Sequence, residues 1–405
     1  MTIAPRPILF VHHRPELGGA PTSLVYLIER LDRTRFEPHV FCPDGPVAEL
    51  FEGAGAIMHR GRVAGFTHIW ASTYAGRRWA LLGRELLRLP GHLSDFSATL
   101  RSVDFALVHL NDSPLVAAAW LARRAGIPVV WHLRSSLPER EGPLRSRLLR
   151  AAIRRLSSET IAINRDVGRS FGASGPVIAN PVDLTRFAPA DVSAAKVRLD
   201  LDPDRPVVAF FGFLYASKGY REFLQAAGLV RRRGIDATYL VVGGAVRSAS
   251  YFKTSTGRTL ERLGIAQDFE TDAHELVHRL RLEDSVQFLP FTTDTASLYQ
   301  ASDVVVAPSR GPELARPILE ASACGCAVIA SGSLSGAGLL LPGETGLIVP
   351  RRSPDALAAT LVRLLTDGEL RSRLGQAARA HAEEIFDAEK AAARTFAVYD
   401  RLLST

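Results

Sequence analysis

The stretch Ser302–Ser331, SDVVVAPSRGPELARPILEASACGCAVIAS, decides the fold. Two short apolar runs, VVVA and CAVIA, bracket a segment in which Pro317 suits the first helical position and Gly325 provides the stop. Two apolar strands joined through a helix pair in parallel, because a parallel pair needs a crossover connection. The stretch therefore reads as one βαβ unit, and the rest of the chain repeats its grammar. PILFVHH, EPHVFC, FALVHL and PVVWHL alternate with helical patterns in the first half, and PVVAFFGF, ATYLVVGG, SVQFLPF and GLIVP continue the series in the second. Residues 179–204, rich in Pro and Asp, interrupt the alternation and read as a linker. The expectation is an α/β chain of two Rossmann-like doubly wound domains, 1–188 and 189–385, followed by a last helix in 386–405. Residues 245–275 exceed an ordinary βα connection and read as a flap or an insertion.

At 405 residues and 47% hydrophobic content, the chain can bury two cores. No apolar run reaches the length of a membrane span, and the start lacks the features of a signal peptide. Cys42, Cys324 and Cys326 are few and odd in number, which fits a reducing compartment, and the last two read as small core residues rather than metal ligands. The expected location is cytoplasmic. Charge is unevenly placed: residues 1–200 hold 26 lysines and arginines against 18 carboxylates, and residues 201–405 hold 23 against 24. Two segments concentrate the arginine, Tyr74–Leu89 and Gly142–Glu159, and both read as amphipathic helices. In the first, Trp79, Leu82, Leu86 and Leu89 recur at helical spacing beside Arg77, Arg78, Arg84 and Arg88. The stripe fits either an ordinary core-facing helix or peripheral contact with an anionic membrane at its inner face. No zinc-finger spacing or aromatic-and-glycine signature supports a nucleic-acid partner.

In open α/β sheets, ligands bind beyond the carboxyl ends of the strands, where helix N-termini point free N–H groups outward. After the first strand, Gly18 and Gly19 permit close backbone approach, with Ala20 expected as an unhelpful cap and Pro21 as the first helical residue. In the second half, Gly212 ends a strand and Lys218 stands before a glycine at a helix start, where its charge can meet a diphosphate. Arg316 makes a poor cap before Pro317, Glu320 is expected in the first turn, and Glu313 lies on the loop upstream. Two such carboxylates could accept hydrogen bonds from a hydroxyl-rich ligand. The glycine- and serine-rich SGSLSGAG, at the fourth junction, could add further backbone donors. His132 ends the strand PVVWHL, where side chains reach a crevice. Neither GxGxxG nor GxxxxGK[ST] occurs at these junctions, which disfavours dinucleotide-dependent dehydrogenation.

As a set, ILFVHHRPELGGAPTSL, VHLNDSP, GIPVVWHLRSS, IANPVDLTRF, GFLYASKGY, PSRGPELARPILEASACGCAVIAS and GETGLIVP resemble the retaining, nucleotide-sugar-dependent glycosyltransferases of family 4, which have the two-domain GT-B fold. The resemblance runs nearly end to end. It implies an N-terminal acceptor domain, a C-terminal domain for the nucleotide sugar, reaction in the cleft between them, and a last helix that crosses back to the first domain. It further implies transfer of a hexosyl group from a UDP- or GDP-sugar to a hydroxyl of a glycan or lipid-linked acceptor, with no metal and with the nucleotide-diphosphate sugar as co-substrate rather than a resident cofactor. By the same resemblance, Gly19 lies near the diphosphate, Lys218 on it, His132 at the reaction centre, Glu313 on the sugar hydroxyls and Glu320 on the ribose. Three positions depart from the pattern. Only six residues separate the glutamates where seven are usual, Phe213 replaces an arginine that Arg316 or Arg221 could stand in for, and no acidic residue lies between Ser331 and Pro342. A nucleotide-sugar epimerase and a non-catalytic nucleotide-sugar-binding protein stay open beside the transferase.

Overall fold

The computed structural model describes residues 4–67, 78–137, 143–245, 247–262, 266–310, 316–332 and 338–404. Contacts divide the chain into two compact units, Met1–Asp183 with Phe386–Thr405, and Leu184–Ile385.

The first unit runs β1 (Arg6–Val11), α1 (Gly19–Glu29), β2 (Phe36–Cys42), α2 (Pro46–Gly53), β3 (Ile57–Arg60), α3 (Arg78–Ser102), β4 (Leu107–Asn111), α4 (Val116–Arg124), β5 (Val129–Leu133), α5 (Pro143–Leu156), β6 (Glu159–Ala162) and α6 (Arg165–Phe171). Its strands are parallel in the order β3-β2-β1-β4-β5-β6. β1, β4 and β5 are mostly apolar over their buried lengths because helices cover both faces, and the buried polar residues among them are His109, Asn111 and His132. Winding proceeds from β1 to one edge and then from β4 to the other, so the topological switch point lies between β1 and β4.

The second unit runs α7 (Val192–Arg198), β7 (Val207–Phe211), α8 (Tyr220–Arg232), β8 (Thr238–Val242), α9 (Ala249–Phe252), α10 (Ser255–Arg262), α11 (Phe269–Leu280), β9 (Val286–Leu289), α12 (Ala296–Gln300), β10 (Val304–Ala307), α13 (Arg316–Ala323), β11 (Ala327–Ser331), β12 (Leu347–Val349), α14 (Pro354–Thr366) and α15 (Gly368–Ile385). Its parallel order, β12-β11-β10-β7-β8-β9, repeats the first winding, with the switch point between β7 and β10. α16 (Ala388–Leu403) belongs to the first unit, where it buries Ala388, Ala391, Ala392, Thr395, Val398 and Tyr399.

Several local expectations change. The expected linker contains α7, capped by the Asp191 carboxylate, which accepts from Ala194 N–H. Residues 249–262 of the long connection after β8 form α9 and α10. On α3 the buried residues include Leu81, Glu85, His92 and Phe96, whereas Leu86 is half exposed and Leu87 is 85% exposed. Of the stripe read as Trp79, Leu82, Leu86 and Leu89, Leu82 and Leu89 are partly buried and Leu86 is half exposed, while Leu87 stands outside the stripe. The side chain of Trp79 and all of Arg77 lie outside the described residues. Cys42, Cys324 and Cys326 are buried free thiols, and burial pushes Cys42 and Cys324 up to about 12.

Candidate functional site

Polar groups gather at both switch points. In the first unit α1 begins at Gly19 with Gly18 as its cap, so Ala20 and Pro21 stand one and two positions inside the helix rather than at its start. Gly18 has no side chain to accept the free N–H groups of the first turn, and they keep their pull on an anion. Thr22 and Ser23 hydroxyls turn back to the Gly18 and Gly19 carbonyls at 2.9 and 3.0 Å, which fixes this start.

Beside it, Arg134 is 7% exposed and organises the ends of β4 and β5. Its Nη1 donates to Asn180 Oδ1 at 2.6 Å, its Nε to Asn111 Oδ1, and its Nη2 to His132 Nδ1 at 3.3 Å. With Oδ1 committed to Arg134, the Asn111 amide donates to His12 Nδ1 (3.1 Å) and to the Ala20 carbonyl (3.2 Å). The network thus ties the glycine loop to His132. An arginine only donates, so His132 accepts at Nδ1 and carries its proton on Nε2. Burial, then the Arg134 cation, then His109, hold its pKa well below the usual histidine value, and the ring is neutral at pH 7. Its Nε2 is buried without a hydrogen-bond partner among the described residues.

The ring lies 5.3 Å from that of His109, which shares a 2.7 Å hydrogen bond with the Tyr399 hydroxyl of α16. The cavity that His132 and Arg134 line with Ser23 and Thr395 measures about 10 Å³, the space of a single water at most. Asp112 follows β4 at φ 125°, a costly backbone for a non-glycine residue, and its carboxylate accepts from Ser113 N, Arg134 N and Ser135 Oγ.

In the second unit Gly212 (φ 146°) ends β7, and a 3₁₀ turn, Ala216–Lys218, leads to Gly219. Gly219 is the cap of α8, sits at φ 82° and leaves the helix start without a side-chain acceptor. From the end of neighbouring β10, Arg310 donates its backbone N–H to the Ser217 carbonyl (2.8 Å) and its Nε to Glu222 Oε1 (2.6 Å). Ser331 at the end of β11 donates to the Ser309 carbonyl at 2.6 Å. Three strand ends, an uncapped helix start, Lys218 and the Arg310–Glu222 ion pair are therefore brought together at the β7/β10 switch point.

α13 starts at Arg316, so Pro317 is its second residue and Glu320 lies in the second turn, beyond the first-turn position expected for it. The helix dipole does not account for Glu320 there. Its carboxylate accepts from Arg316 Nε at 2.6 Å and from the Tyr299 hydroxyl, whose pKa it raises further above the ordinary value, after burial. Glu313, with Leu314 and Ala315, lies outside the described residues, as do residues 333–337 of SGSLSGAG. Phe213 stacks on Phe291 with centroids 5.7 Å apart and planes 8° apart. Arg221 is held by both carboxylate oxygens of Asp272 at 2.8 Å, which commits it elsewhere than the Phe213 position. A cavity of about 630 Å³ opens at the other end of this sheet, by Asp303, Ala327 and Arg371, away from these groups. Among the described residues no group of three or more His, Cys, Asp or Glu is placed to hold a metal ion.

Arg134, Asn111, Asn180, Tyr399 and Arg310 escape a reading of the sequence for motifs. Asn111 and Arg134 stand at strand ends in VHLND and VVWHLRSS, which is the signal that could have found them.

Two doubly wound units of like topology, each with an uncapped glycine start at its switch point, are the architecture that the resemblance to GT-B enzymes implies. Residues 191–381 match the family model described as glycosyl transferases group 1, and residues 18–184 match a glycosyl transferase 4-like domain. The chain is 30% identical to the D-inositol 3-phosphate glycosyltransferase of Streptomyces bingchenggensis, over 96% of this chain and 86% of that protein. It is 31% identical to the enzyme of the same name from Rhodococcus opacus, over 91% and 83%. The fold matches Anabaena HepE in complex with UDP at a TM-score of 0.77, with 21% identity over 97% of this chain and 99% of that one. It matches the sucrose-phosphate synthase of Thermosynechococcus elongatus at 0.74, with 21% identity over 98% and 99%. The chain belongs to the group 1 glycosyl transferases.

Proposed function

We propose that this chain is a retaining hexosyltransferase that moves a sugar from a UDP- or GDP-sugar to a hydroxyl of a glycan or lipid-linked acceptor, without a metal. The observation that carries the proposal is the uncapped start of α8 at Gly219, with Lys218 and Arg310 held beside it at the β7/β10 switch point. Free N–H groups and the charge of Lys218 suit a leaving diphosphate, whose charge rises as the glycosidic bond breaks, while Arg310 is paired with Glu222 and braces the helix start. Lys218, Gly212 and the α8 start take the diphosphate in this reading. Glu320, oriented by Arg316 and Tyr299, accepts from ribose hydroxyls, and Glu313 from those of the sugar. Gly18 and Gly19 take part in donor binding in this reading. His132 acts as a neutral Nε2–H donor that positions and polarises, since the departing diphosphate itself helps deprotonate the acceptor on the same face. The complexes of HepE with UDP and UDP-glucose and the glycosyltransferase names of the relatives support a nucleotide-sugar donor.

The test is a thermal-shift screen of the protein against UDP, GDP, ADP and their sugar conjugates, with Glu320→Ala alongside. A ligand at a hundred times its Kd adds about 2.7 kcal/mol of stability. One nucleotide series should raise the midpoint and Glu320→Ala should abolish that rise. Product from that donor with inositol phosphate, glycan and lipid-linked acceptors should keep the donor's anomeric configuration. No shift with any nucleotide overturns the donor site, inverted product overturns retention, and epimerised donor without acceptor overturns transfer.

A further inference from the structure

Helices α3, α4 and α5 lie on one face of the first sheet. Each returns the chain in the direction from β3 towards β6, and the right hand of such crossovers places all three on the same side. α4 packs between the other two. What these helices turn outward is unusual for a surface covered only by water. Leu86, Leu87, Trp120, Leu144 and Leu148 supply five of the ten large apolar side chains exposed among the described residues. Leu144 and Leu148, one helical turn apart on α5, are 67% and 62% exposed.

Arginines interleave with them. Exposed Arg84 and Arg88 flank the α3 leucines, Arg123 and Arg124 follow Trp120, and Arg147, Arg154 and Arg155 share the outer side of α5. The Arg124 guanidinium lies 5.6 Å over the Trp120 ring. The three helices carry eleven arginines and two carboxylates, with none of the latter on α4 or α5. Of the two, Glu85 is buried and Asp95 is bound by both Nε and Nη2 of Arg62 at 2.8 Å.

We infer that the outer surface of α3, α4 and α5 docks on an anionic lipid bilayer. Leucines side by side with arginines satisfy both layers of such a surface. The apolar chains enter the acyl boundary, the guanidiniums meet lipid phosphates, and a tryptophan suits the boundary between the two. A nucleic-acid backbone would pair with the arginines but leave the leucines against water. A second copy of this chain would bring eleven like charges against eleven in a two-fold contact, which opposes association. The inference is independent of the donor and acceptor proposed above, because its test reads partitioning and not turnover.

Full-length protein is sedimented with phosphatidylcholine vesicles and with vesicles containing phosphatidylglycerol. Binding is expected only to the second, weakening as salt rises. Arg154→Gln with Arg155→Gln should weaken it about fivefold per arginine. Leu144→Ser with Leu148→Ser, which leaves charge unchanged, should weaken it by roughly tenfold or more. Leu87→Ser on α3, across α4 from these, should act in the same direction, and all of these outward changes should leave the melting midpoint in place. Failure of the wild type to sediment with anionic vesicles overturns the inference. So does full binding by both leucine variants, which would reduce the contact to charge adhesion. A fall in solution mass on Leu144→Ser with Leu148→Ser, without any loss of vesicle binding, would assign the face to a protein contact instead.

Discussion

Arg134 carries a full positive charge into a position 7% exposed and directs its donors to Asn111, Asn180 and His132. Arg134→Met keeps much of the volume but strands two amide oxygens and an imidazole nitrogen, at about 1–3 kcal/mol for each buried acceptor left unpaired. A melting midpoint lowered by less than a degree would show that the network relaxes at no cost. The histidines around it make a second prediction. Burial is the largest cause in holding His12 and His109 down to about 3 and in pushing His13 and His132 well below the usual value. Each folded-state pKa is depressed below its unfolded value of about 6.5, so below that pH the unfolded chain binds more protons than the native one. Their contribution is complete above pH 6.5 and is lost as pH falls, at about 1.4 kcal/mol per pH unit for each histidine. Asp95, held at about 2 by its hydrogen bonds to Arg62, belongs to a separate, more acidic window. Midpoints measured by circular dichroism should therefore drop steeply as pH falls from about 6.5 towards 4. A flat profile there would mean that these rings are protonated or reached by water in the native state.

At the scale of elements, the glycine that ends the Lys218 turn separates two kinds of cost. Gly219 stands at φ 82°, and a Cβ there would meet the Pro308 carbonyl oxygen at 1.9 Å. Gly244 also has a positive φ, 63°, but a methyl added there would meet nothing within 4 Å. Gly244→Ala should cost about 1–2 kcal/mol for its left-handed backbone alone. Gly219→Ala must also part β10 from the α8 start, so it should cost more and should depress nucleotide binding with it; equal midpoints for the two variants would refute the close approach. The same elements show where the sequence was legible. Strands rich in apolar residues announce themselves, so β1, β2, β4, β5 and all the strands of the second sheet, its edge strands β9 and β12 included, could be read. The two that could not, Ile57–Arg60 and Glu159–Ala162, are four-residue edge strands of the first sheet that begin or end in charged and polar residues, His59 with Arg60 and Glu159 with Thr160, so too few apolar residues are left to mark them. Helix starts slipped by one or two residues because glycine caps leave no side-chain signature, as at Gly18. Glu320 and Lys218 could be picked out as candidates, yet the partners that orient Glu320 could not. Arg316 is one turn away on the same helix, but Tyr299 reaches it from α12, a contact that tertiary packing alone creates.

The whole chain leaves its first unit at Asp183 and returns to it at Phe386, so that unit is built from both termini. The return is stitched at the junction: Val182 N–H donates to the Phe386 carbonyl at 2.8 Å, and Val182 pairs with Asp387. Beyond it, Arg30 binds Glu389 at 2.8 Å, and Phe386, Val398 and Tyr399 are at most 1% exposed. Burying each of these three large side chains is worth about 1.5–3 kcal/mol, and a domain has only about 5–15 kcal/mol of net stability. A fragment of residues 1–183 should therefore fail to melt cooperatively, and should aggregate through the exposed faces of α1 and β2. Residues 184–385 hold their own apolar core, from Val208 and Phe223 to Leu361 and Leu374, and should fold alone. Because Val182 and Asp387 already lie side by side, joining residue 183 to residue 386 through a short glycine linker should restore a cooperative unit without any of the second. Circular dichroism melts of the three fragments decide the matter. Cooperative melting of residues 1–183 by themselves would show that α16 is an accessory, and failure of the joined fragment would show that the first unit needs more than its own two segments.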